Sequence, residues 1–208
     1  MDKLNEKIFK ISKATRSDYE EYLVYLYFGA GPDYLQKTVD RAYRDCNRTL
    51  HEMSSLPSKD ALREEAQKEL RQILDDLRQN RVVNCQSEFD GWHRTACQRI
   101  IAFYDRYGYH RMHVGQAQKW INMTFKYIFV LGENRVPGFG DWYQYCHVPF
   151  DNILLKRLAD RYGFPKFGCS WSRIDDYDEY LSRQEWIRKR FSSVPLDVEF
   201  QLWLKKSL

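Results

Sequence analysis

The sequence predicts an all-α fold, a single domain of seven to eight helices. Three observations lead there. Apolar residues recur at spacings of three and four in one segment after another. No stretch shows the two-residue alternation of a half-buried strand. Clusters of Gly and Pro separate the periodic segments.

The elements follow in chain order. The first dozen residues fit a strand, a short helix or a tail. Ser17 with Glu20 reads as a capping box opening a helix that runs to Gly29, dense enough in apolar residues to be expected well buried. Gly29, Gly31 and Pro32 break it. A second helix, Asp33 to Met53, places Leu35, Val39, Ala42, Cys46 and Leu50 on one face. The third follows Pro57 and Ser58, with a thin stripe of Leu62, Ala66, Leu70, Ile73 and Leu77 on a charged, solvated helix. The fourth starts near Ser87, carries Phe89, Trp92, Ala96, Ile100 and Phe103, and ends at Gly108. A short loop to Gly115 leads to a fifth helix, about Gln116 to Leu131. The sixth runs from about Pro149 to Tyr162 and the seventh from about Ser172 to Phe191. Pro195 opens the last. In the seventh, Asp175, Asp176, Asp178 and Glu179 precede a basic block, the order that the helix dipole favours.

At 208 residues the chain suits one domain, 1–208, and no linker divides it. The variant is two helical lobes around a cleft, with residues 88–160 carrying the hairpin. The net charge of +4 is mild for a nucleic-acid binder, although a balanced total can conceal a basic patch. The five cysteines show neither a disulfide framework nor zinc or iron–sulfur spacing, so they read as buried or idle thiols. No apolar run approaches the roughly 20 residues of a membrane span, and the charged N-terminus lacks a signal-peptide core. The expectation is a cytoplasmic protein without a membrane partner. Oligomeric state is not readable.

The chemistry concentrates between Gly108 and Arg157. The fifth helix is apolar nearly all round, yet Lys119, Asn122 and Lys126 share one stripe. A buried helix presents two Lys on a stripe where it meets a cleft, a partner charge or a phosphate; the alternative is that both snorkel at the domain rim. Asp151 lies at the start of the sixth helix, where the dipole favours a carboxylate and from which it can also be aimed into a cleft. His147 and Asp151 are four apart, but no further ligands accompany them, so neither a metal nor any other cofactor is expected.

Ala117-Gln118-Lys119 with Lys126, and the V-P-F-D run of Val148 to Asp151, resemble the helix-hairpin-helix DNA glycosylases. The closest likeness is to their archaeal 8-oxoguanine glycosylase branch, over residues of about 105–160 only. The resemblance implies an all-helical fold and removal of a modified base from duplex DNA, with or without AP-lyase activity. It implies that Lys119 is the amine nucleophile at the sugar C1′. Asp151 would assist its deprotonation and stabilise the positive charge developing on the sugar. Phosphate contacts would fall to Arg111, His113, the amides near Gly115, Lys126, Lys156 and Arg157. A base turned out of the duplex needs a stacking pocket, for which Trp142, Tyr143, Tyr145, Trp171 and Trp203 are the candidates. The competing reading is a non-catalytic helical module that binds nucleic acid or protein on the same scaffold.

Overall fold

The structure, a computed structural model, describes residues 14–204; the segment preceding Ala14 lies outside the described residues. Among the described residues it is all-helical, with eight α-helices and no strand. They are α1 (Arg16–Phe28), α2 (Tyr34–Cys46), α3 (Lys59–Asn80), α4 (Gln86–Arg106), α5 (Val114–Leu131), α6 (Asn152–Tyr162), α7 (Tyr177–Arg190) and α8 (Pro195–Trp203). Short 3-10 turns cover Asn47–Thr49, Met53–Ser55, Gly140–Tyr145 and Trp171–Arg173. No described helix is long and apolar enough to cross a membrane.

Helix α5 is the centre. Its residues from Val114 to Phe125 are all buried, and it packs on α2 and α4. Trp120 is fully enclosed, and its indole N–H donates to the Val39 carbonyl at 3.0 Å, which satisfies the ring's one polar group. The stripe foreseen on α3 is buried as a set, with Leu74 added, while its charged residues face outward. Cys46, Cys97 and Cys146 are buried thiols, and Cys85 and Cys169 are exposed.

Several local expectations need correction. The capping box of α1 is Thr15 with Asp18, because an Asp three residues into the helix makes the same reciprocal bonds as a Glu. None of the α1 residues is buried: its apolar side chains are spread around the helix, so no single face segregates against the body. The second helix stops at Cys46 and continues as two 3-10 turns, with Glu52 in the left-handed region at φ 65°. Leu50 is nevertheless buried. The seventh helix begins at Tyr177, where Asp176 accepts from the Asp178 amide, and Trp171–Arg173 is a separate turn.

Candidate functional site

Lys119, Met123, Lys126 and Tyr127 lie on one face of α5 at helical spacing and form a wall of a cavity of about 670 Å³. The opposite sides come from Tyr27 at the end of α1, Asp45 of α2, the start of α6, Trp171 and Trp203. The two lysines on an otherwise apolar helix are therefore lysines facing a cleft.

Asp151 is the N-cap of α6. One carboxylate oxygen, Oδ1, accepts from the Leu154 amide at 2.8 Å; the other, Oδ2, accepts from Lys119 Nζ at 2.6 Å. The cap fixes the carboxylate, and the second oxygen is left for the amine. The Lys119 side chain is only 6% exposed and that of Asp151 18%, so the pair sits in a weakly screened setting at the edge of the cavity. The helix expected from about Pro149 begins three residues later, at Asn152; Val148, Pro149 and Phe150 form a buried, irregular lead-in.

One turn beyond Met123, Lys126 Nζ donates to Glu199 Oε1 at 2.6 Å. Glu199 is 1% exposed, and burial raises its pKa against the opposing pull of Lys126. Its second oxygen, Oε2, is buried without a hydrogen-bond partner among the described residues. Lys126 also lies 5.2 Å from the ring centre of Phe200 and 5.3 Å from that of Trp203. Sequence reasoning passed over Glu199, although an acid in the mostly apolar PLDVEFQLW segment, four residues before Trp203, is a legible sign of a buried charge. Across the cavity, Asp45 on the opposite side accepts from the Tyr127 hydroxyl, and the Tyr27 and Tyr127 hydroxyls are 3.0 Å apart. Burial and the Asp45 carboxylate drive the Tyr127 phenol well upward, keeping it a neutral donor.

The stacking candidates divide. Trp171 and Trp203 line the cavity, but Trp142, Tyr143 and Tyr145 do not. Trp142 is buried with its N–H on the Val83 carbonyl, Tyr143 packs edge-on to Phe129, and Tyr145 donates to the Asn84 carbonyl. These contacts hold the 140–145 turn against the α3–α4 connection and α5.

The phosphate candidates divide as well. Gly115 is buried and its amide donates to the Ile174 carbonyl at 2.9 Å, so the expectation of an exposed amide at the hairpin is corrected. A Cβ there would fall 1.8 Å from the Trp171 carbonyl oxygen; the glycine permits the close approach of the 171–173 turn. Arg111 and His113 border a smaller cavity of about 260 Å³ that shares Thr49 with the main one. Lys156 is exposed and pairs with Asp160. Arg157 donates to the Leu202 carbonyl at 2.6 Å and lies 5.2 Å from the Trp203 ring, which makes it a support for Trp203. Among the described residues no cluster of three or more His, Cys, Asp or Glu is placed to hold a metal ion.

Comparison with protein-family models, with curated proteins and with solved structures finds no match to this chain.

Proposed function

We propose that the chain is a DNA glycosylase that removes a modified base, with Lys119 as nucleophile and Asp151 as its proton acceptor. The observation that carries this reading is the 2.6 Å contact between Lys119 Nζ and Asp151 Oδ2 at the edge of a cavity that also holds Trp171 and Trp203. An amine acts as a nucleophile only after losing a proton, and here a fixed carboxylate lies within direct transfer distance. As the lone pair of Lys119 forms the new bond to C1′, the bond from C1′ to the base breaks and its electron pair leaves with the base. The proton held by Asp151 is then available to the departing base. Once that proton has passed to the base, the Asp151 anion faces the positive charge on the sugar. Opening of the sugar ring gives an imine on Lys119. Loss of a C2′ proton and of the 3′ phosphate from that imine is the lyase step. The two indoles and Tyr127 supply the flat, apolar surroundings that an unstacked base requires.

The experiment is incubation with duplex oligonucleotides that each carry a different modified base, with and without borohydride. A covalent adduct that disappears in Lys119→Gln is the expected result. No base released from any duplex, or an adduct of unchanged yield in Lys119→Gln, would leave the non-catalytic module as the better reading.

A further inference from the structure

The stretch that delivers Asp151 has an unusual set of partners. Residues 146–150 belong to no helix, and no strand among the described residues pairs with them. Buried side-chain amides take the place of that strand. Gln184 accepts from the Val148 amide at 3.1 Å and donates to the Val148 carbonyl at 2.9 Å. Asn122 adds a second donor to that carbonyl at 3.3 Å. Gln118 accepts from the Phe150 amide at 3.3 Å and donates to the Phe150 carbonyl at 3.3 Å. Both glutamines are buried.

Gln118 immediately precedes Lys119, and Phe150 immediately precedes Asp151. One side chain therefore bridges the residues immediately before the two members of the ion pair, which lie 32 residues apart in sequence. The amide is locked in its orientation. Its oxygen also accepts from Asn122 Nδ2 at 3.0 Å, and its nitrogen also donates to the Gly115 carbonyl at 2.9 Å. Asn122 is held in turn by His93 at 3.0 Å and by Tyr180 at 2.9 Å.

We propose that Gln118 is a positioning residue that sets the distance between Lys119 and Asp151. The proposal rests on the glycosylase reading for its kinetic consequence, not for its geometry. Gln184 is the internal control: it has the same chemistry and similar burial, but it pins a residue three positions from Asp151. A purely structural role would make the two glutamines equivalent. Misplacement of reacting groups by about 1 Å can cost on the order of 100-fold in rate.

The test measures single-turnover base release and DNA affinity for wild type, Gln118→Met and Gln184→Met, together with the Tm of each. Gln118→Met should lose on the order of 100-fold in rate with affinity within about threefold, and Gln184→Met should stay within about threefold in both. Equal rate losses, or losses that follow Tm, would overturn the proposal. Should Gln118→Met not fold, Gln118→Glu serves: its carboxyl donates to the Phe150 carbonyl only when protonated, so its deficit should shrink from about pH 8 to about pH 6. A flat deficit across that range would count against the role.

A second readout does not need activity. Lysines are dimethylated with ¹³C-formaldehyde, and the Lys119 resonance is assigned from its loss in Lys119→Arg. Gln118→Met should move that resonance toward its position in Asp151→Asn, while Gln184→Met should leave it in place. If wild type releases none of the modified bases but the shift appears, the glycosylase reading falls and the positioning role stands. If wild type is active and neither rate nor resonance separates the two glutamines, the positioning role falls alone.

Discussion

Lys126 and Glu199 are joined at 2.6 Å with side chains 13% and 1% exposed, and one carboxylate oxygen has no hydrogen-bond partner among the described residues. Each group is costly to bury without the other. Lys126→Met should therefore destabilise the fold by about 3 kcal/mol, because an uncompensated carboxylate remains in the interior. The loss should depend on pH. Burial already raises the Glu199 pKa, and removing the lysine takes away the largest opposing influence. In this variant the native state then holds its proton more tightly than the unfolded chain does, so stability falls as pH rises above the ordinary carboxylate range. Urea titrations should show Lys126→Met closest to wild type near pH 5 and furthest at about pH 8. Adding Glu199→Gln to Lys126→Met should recover much of the loss; a double variant no better than the single one would contradict the pairing.

Asp151 has two duties that one substitution separates. Asn is as good an N-cap as Asp, so Asp151→Asn retains the bond to the Leu154 amide, and the stability it loses comes from leaving the buried Lys119 ammonium without its carboxylate. It cannot accept a proton from Lys119, so borohydride trapping should slow by about 100-fold or more. Asp151→Ala loses both, and should cost about 1 kcal/mol of stability in addition. Wild-type trapping by Asp151→Asn would remove the carboxylate from the proposed chemistry.

Much of this was legible because it depends on local rules. The stripe on α3, the two lysines on the apolar α5, and the acid at the start of α6 follow from periodicity and capping alone. What the sequence concealed are relations between distant segments. Nothing local separates Trp142, whose indole is satisfied by the Val83 carbonyl, from Trp203, whose ring faces a cleft. Gly115 looked like a phosphate-binding glycine because the 171–173 turn that lies against it is more than fifty residues away in sequence. The burial expected of α1 failed for a related reason: apolar density tells how much surface a helix offers, not whether neighbours exist to cover it.

Gly115→Ala places a methyl group 1.8 Å from the Trp171 carbonyl oxygen, a clash against backbone that no side-chain rotation relieves. The variant should lose about 2–3 kcal/mol in a urea titration, and the 171–173 turn should shift, carrying Trp171 at the cavity wall with it. Trp171 fluorescence, compared in a Trp171→Phe background, would report that movement. A variant as stable as wild type would show that the turn does not depend on this contact.

His93 and His147 are buried side by side, with ring centres 4.5 Å apart. Burial lowers the pKa of both, that of His93 far below the usual range. The surroundings explain why each stays neutral. From α4, α5 and α7, His93 meets Cys97, Asn122 and Tyr177, none of them anionic. His147 does meet a carboxylate, Asp90 at 2.7 Å, but Arg188 occupies the other oxygen of that carboxylate at 3.0 Å. In the unfolded chain both imidazoles regain a pKa of about 6.5. Below that pH the unfolded state therefore binds more protons than the native state, so stability falls as pH falls. Each histidine contributes up to about 1.4 kcal/mol per pH unit to that fall. Between about pH 6.5 and 5 the urea midpoint should drop steeply, well before most carboxylates titrate. His93→Gln can still bond to Asn122 and should show roughly half the slope over this interval, even if its stability at neutral pH is lower. An unchanged slope would mean that His93 is not excluded from protonation in the native state, and that the network behind Asn122 tolerates a charge.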